Sequence, residues 1–112
     1  MTNNDYFSVA YKILSYLKYC YENGEDLDVN VLQASTFNIS QKQFFHTLQM
    51  LKEDGYVKGI SFQSYYDRSQ AIIGLDQVRI TSDGLQYLAE NSMMKKAYKV
   101  FKEVRDWLPI IK

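Results

Sequence analysis

Ser40-Gln41-Lys42-Gln43-Phe44-Phe45-His46-Thr47-Leu48-Gln49-Met50-Leu51-Lys52-Glu53-Asp54-Gly55 reads as a helix whose start and stop are both encoded locally. Ser40 followed by Gln43 forms a capping box, in which the hydroxyl accepts an otherwise orphaned amide of the first turn. Ile39, just before the cap, is placed to staple onto Phe44. Helical spacing collects Phe44, Phe45, Leu48 and Leu51 on the face to be buried. Lys42, Gln43, His46, Gln49, Met50 and Glu53 fall on the opposite face. Gly55 stops the helix, because glycine takes the left-handed conformation at little steric cost.

Outward from this helix, Tyr56 to Phe62 is β-branched and aromatic and predicts a strand. Gln63-Ser64-Tyr65-Tyr66-Asp67-Arg68-Ser69-Gln70 is a polar loop, with return strands at Ala71–Ile73 and Gln77–Ile80. Thr81 or Ser82 caps a helix over Gly84–Glu90, Asn91-Ser92 breaks it, and a last helix from about Met93 to Trp107 precedes Pro109. Upstream, Tyr6, Val9, Ala10, Ile13, Leu14, Leu17 and Cys20 recur at helical spacing and define a first helix, which Asn23-Gly24 ends. Acidic Glu25-Asp26 and Asp28 stand where a short second helix, Val29–Ala34, would place its positive end, and residues 35–38 turn out of it. Three helices, a strand pair around a polar loop and two further helices are the order of a winged helix-turn-helix. The expected fold is therefore α+β and mostly α, with three N-terminal helices, a small antiparallel wing sheet and two C-terminal helices. It forms one domain over residues 1–112, with a helical core at 5–54, a wing at 56–80 and C-terminal helices at 82–107. Leu17, Phe44, Leu48, Leu85, Leu88 and Trp107 are the expected centre of the core.

Composition narrows the function classes. A chain of 112 residues, 46% hydrophobic, has apolar material for one core. Thirteen basic side chains balance thirteen acidic ones, so the overall basic excess of an electrostatically driven nucleic-acid binder is missing. The charge is unevenly spread: residues 91–112 carry +4 and residues 1–90 carry −4. The expected last helix would bury Met93, Ala97, Val100, Phe101, Val104, Trp107 and Leu108 against the first, turning Lys95, Lys99 and Lys102 away from His46. Cys20 stands alone, which rules out an intrachain disulfide and a cysteine zinc cluster. Met1-Thr2-Asn3-Asn4-Asp5 shows no signal-peptide pattern and no apolar run is long enough to span a bilayer, so the expected location is the cytoplasm, without membrane association.

Two segments carry a family likeness. One is Leu51-Lys52-Glu53-Asp54-Gly55-Tyr56-Val57-Lys58-Gly59; the other runs from Ile80-Thr81-Ser82-Asp83-Gly84-Leu85 through Lys96-Ala97-Tyr98-Lys99 to Lys102-Glu103-Val104-Arg105-Asp106-Trp107. Together they resemble the YjcQ-like family of small winged-helix proteins from Gram-positive bacteria and their phages. The resemblance implies a winged-helix fold and a prophage origin, and brings no catalytic residues.

The candidate nucleic-acid-binding set is Lys42, Gln43, His46 and Gln49 on the third helix, with Arg68 on the wing. Glutamine amides can pair bidentately with adenine, and lysine and arginine can meet phosphates. Against that, Glu53 and Asp67 dilute the positive charge, and the exposed pair Tyr65-Tyr66 suits a protein partner equally well. Glycine-rich phosphate loops, nucleophile–base pairs and metal-spaced carboxylates are missing, and His46 has no ligand-spaced companion. The sequence thus points to a non-enzymatic module without cofactor or metal, acting on double-stranded DNA in regulation. The competing expectation is a protein-interaction module of the same fold.

Overall fold

The computed structural model describes residues 5–91. The expected last helix, with Trp107 and the basic residues 95–112, lies outside them. Helix α1 (Tyr6–Asn23) starts at Asp5, whose carboxylate accepts the Ser8 amide at 2.9 Å. It ends at Gly24, with φ +63°, where the amides of Gly24 and Glu25 return to the carbonyls of Tyr21 and Cys20. Val9, Ile13, Leu14 and Leu17 line its buried face.

The expected second helix over Val29–Ala34 does not form. The Asp28 carboxylate takes the Asn30 amide, and its carbonyl takes those of Val31 and Leu32, so a side-chain-closed turn replaces the helix. Six residues are also too few to offset the cost of nucleation without help. Val31 and Leu32 are nevertheless buried, and a 3₁₀ turn follows at Ala34–Phe37, closed by left-handed Asn38.

Helix α2 (Gln41–Glu53) is capped by the Ser40 hydroxyl, which accepts the Gln43 amide at 3.0 Å. Its end is a Schellman turn: Gly55, φ +82°, donates to the Lys52 carbonyl and Tyr56 to that of Leu51. Phe44, Phe45, Leu48 and Leu51 are buried as the spacing requires, and Phe37 stacks on Phe44 with centroids 6.2 Å apart.

The expected strand over Tyr56–Phe62 is two strands, β1 (Val57–Lys58) and β2 (Ser61–Ser64). β2 pairs antiparallel with β3 (Gln70–Ile73), and β1 with β4 (Arg79–Ile80). The four strands trace one hairpin whose ladder is interrupted midway, where Gly59-Ile60 face the longer excursion from Gly74 to Val78. Gly59 has φ +93°, and a Cβ there would run into the Gln77 carbonyl, so the two arms cross too closely for a continuous ladder. For the same reason the expected strand over Gln77–Ile80 keeps only its second half, since Leu75–Gln77 form a 3₁₀ turn.

Helix α3 (Ser82–Glu90) explains the paired motifs around Gly55 and Gly84. Thr81 is the cap: its hydroxyl accepts the Gly84 amide at 2.9 Å and donates to the Gly55 carbonyl at 2.6 Å. A Cβ on Gly84 would strike the Tyr56 carbonyl, so glycine lets α3 approach the start of the hairpin. Tyr87 stacks on Tyr56 at 4.1 Å. Leu85 and Leu88, expected at the core centre, are half-buried against its margin. The described fold is mixed α+β and mostly helical, with three α-helices and small antiparallel strand pairs.

Candidate nucleic-acid interface

The hairpin is fixed beside α2 by one aromatic contact. Phe62 of β2 meets Phe45 edge-to-face, with centroids 5.1 Å apart and planes at 71°. The Lys52 ammonium lies 5.9 Å from the centroid of the Phe62 ring, within cation–π reach. The residues that flank Phe45 on the helix surface therefore also flank the hairpin: Lys42, Gln49 and Lys52, at helical offsets of three, four and seven. His46 is exposed and stands edge-on to Phe45 at 5.7 Å. Lys42 is exposed and Gln49 half-buried. Gln43 is half-buried on the far edge, about 160° around the helix from Phe45, and its carbonyl accepts the Thr47 hydroxyl. The structure thus gathers Lys42, His46 and Gln49 on the hairpin side and sets Gln43 apart.

The tip of the hairpin is a tight, ordered turn. Arg68 donates its amide to the Tyr65 carbonyl at 3.0 Å, and Tyr65 donates to that of Ser69 at 2.9 Å. Asp67 closes the turn by accepting from the Ser69 amide at 3.0 Å and the Ser69 hydroxyl at 2.6 Å. Those bonds hold its carboxyl below the usual carboxylate range, so Asp67 serves the turn. Arg68 has φ +69°, the left-handed region that ordinarily falls to glycine or asparagine in a three-residue hairpin loop. Its side chain is exposed, Tyr66 is fully exposed, and Tyr65 is exposed over half its surface or slightly less.

Lys52 was not among the residues singled out from the sequence. The signal was present, since it lies seven residues beyond Phe45 on the same stripe, but its relevance depends on Phe62 docking there. With it the interface holds Lys42, Lys52 and Arg68 against Glu53 and Asp67, a small positive excess. Among the described residues no group of three His, Cys, Asp or Glu side chains is placed to hold a metal ion, and no helix is long and apolar enough to cross a membrane. Cys20 is buried, and burial pushes its thiol up.

The profile of the family described as YjcQ protein matches residues 11–107. The chain belongs to the YjcQ family. Within it, the uncharacterized protein YjcQ of Bacillus subtilis (strain 168) is 32% identical over 77 residues, covering 69% of this chain and 78% of the relative. No solved structure matches the chain. The matched span of the YjcQ profile takes in α2, the hairpin and α3, and so the whole candidate interface.

Proposed function

We propose that this YjcQ-family chain is a winged-helix module of the cytoplasm that binds double-stranded DNA in a regulatory role, without catalysis or cofactor. In this reading Ala34–Phe37, Asn38-Ile39-Ser40 and α2 form the helix-turn-helix. Helix α2 enters the major groove, and the β2–β3 hairpin lies as a wing along the flanking backbone. One observation carries it: an arginine is held in a left-handed conformation at the tip of a hairpin that Phe45 and Phe62 pin beside the polar face of α2. An L-residue in that conformation costs about 1–2 kcal/mol, which makes the choice of arginine over glycine meaningful for contact and not for the turn. His46 and Gln49 would read base edges, while Lys42, Lys52 and Arg68 would meet phosphates. A prophage setting, implied by the family resemblance, belongs to the same proposal.

The test is selection of bound duplexes from a randomised pool, repeated with variants. His46→Ala and Gln49→Ala should relax the selected sequence, whereas Lys42→Ala and Arg68→Ala should lower affinity for every duplex alike. A wild-type pool that stays unenriched would remove sequence-specific binding from the proposal.

The full exposure of Tyr66, together with the small charge excess of the face, favours a second reading: a protein-interaction module on the same fold. Tyrosine offers rigid amphipathic area to a partner protein, and such an interface responds only mildly to salt.

A further inference from the structure

We propose that the cleft between the end of α1 and the base of the hairpin binds a small zwitterion with an apolar body, of the amino-acid or dipeptide type. The cleft is on the order of 590 Å³, within the range of small-ligand sites, and its floor is apolar, including Leu17, Leu27 and Val78. Its rim is charged with both signs. Lys58 and Arg79 line it from the hairpin, Glu25 and Asp26 from the loop after α1, and Asp76 from the 3₁₀ turn.

The basic pair is unusual in its placement. Lys58 and Arg79 are direct cross-strand partners in the β1–β4 ladder, so their side chains leave the same face with Cβ atoms about 5 Å apart. Like charges opposite one another destabilise a strand pair, and the sequence keeps them in a ladder only two residues long. Among the described residues the one ion pair within 4.0 Å is Lys18 with Glu22, so these bases and the carboxylates of the same cleft are not in direct contact with each other. Glu25 is held instead by the Tyr19 hydroxyl at 3.2 Å.

This arrangement selects the ligand's charge. A pure anion drawn to Lys58 and Arg79 would also meet Glu25 and Asp26, and a pure cation would meet the reverse. A molecule carrying a carboxylate and an ammonium satisfies both walls while its side chain covers the apolar floor. Asp76, Gln77 and Val78 line the cleft and also belong to the excursion that interrupts the hairpin. The binding proposal itself is independent of whether DNA is bound.

The experiment is titration of the full chain, ¹⁵N-labelled, with L-leucine, L-phenylalanine and leucyl-leucine, each beside its N-acetyl and carboxamide forms. At least one free zwitterion should produce saturable amide shifts confined to the cleft lining, at residues 17–27, 58 and 76–80. The blocked forms and the Lys58→Ala/Arg79→Ala variant should bind at least about tenfold more weakly, the variant keeping its amide dispersion elsewhere. Silence of those amides at millimolar concentrations of every probe would overturn the proposal. Equal binding of blocked and free forms would reduce the cleft to an apolar groove and overturn it too. Nuclear Overhauser contacts in the free protein from residues 92–112 into the cleft would show the chain covering its own groove, with the same consequence.

Discussion

Arg68 and Thr81 show how single side chains set the geometry of this molecule. Replacing Arg68 by glycine should relieve the left-handed backbone and raise stability by about 1 kcal/mol, while weakening duplex binding. Urea denaturation and a duplex titration on the same variant measure the two opposing effects. Thr81 ties the end of α2 to the start of α3 with one hydroxyl, through the Gly55 carbonyl and the Gly84 amide. Thr81→Val should therefore cost about 1–2 kcal/mol, and Thr81→Ser much less, since serine keeps both bonds. Gly84→Ala should cost about 1–3 kcal/mol by overpacking against the Tyr56 carbonyl, despite alanine's better helix propensity. A stabilising alanine at that position would contradict the close approach of α3.

At the scale of elements, local signals were legible and long-range ones were not. The cap at Ser40, the stop at Gly55 and the buried face of α2 depend on neighbours within one or two turns, and all stand as the spacing predicts. The turn at Asp28–Leu32 in place of a second helix follows from the Asp28 side chain competing for amides, a competition that acidic residues at a helix start do not reveal by themselves. The broken hairpin was hidden for a different reason: Gly59 is forced into its turn by Gln77, eighteen positions along the chain. The candidate site divides the same way. Lys42, His46 and Gln49 were readable from the helical period, whereas Lys52 belongs to the face only through the docking of Phe62 on Phe45, a contact the period does not contain. Docking of the hairpin is itself testable. Phe62 is half-buried, so Phe62→Ala should cost about 2 kcal/mol, below the 3–5 of a fully buried ring. The α2 amides should remain protected from hydrogen exchange while those of β2 and β3 lose protection; loss across the whole chain would mean that the hairpin does not open on its own.

At the scale of the whole molecule, buried tyrosines link the fold to pH. Burial pushes the Tyr16 hydroxyl from 10.0 up to about 12, partly offset by the Asp28 amide it accepts. Burial also raises Tyr6 and Tyr87. The unfolded chain releases these protons near pH 10 and the folded chain holds them longer, so stability is complete below pH 10 and falls as pH rises through about 12. Absorbance titration of tyrosinate should show late tyrosines ionising together with loss of near-ultraviolet dichroism; independent ionisation of every tyrosine near 10 would contradict their burial. The central claim, that α2 and the hairpin form one DNA-binding face, is tested most directly by titrating the folded chain with bulk duplex DNA at several salt concentrations. Three cations on that face, Lys42, Lys52 and Arg68, predict that log affinity falls against log salt with a slope of about −3. A folded protein that leaves duplex DNA unbound at low salt, or binds it without salt dependence, would contradict the account.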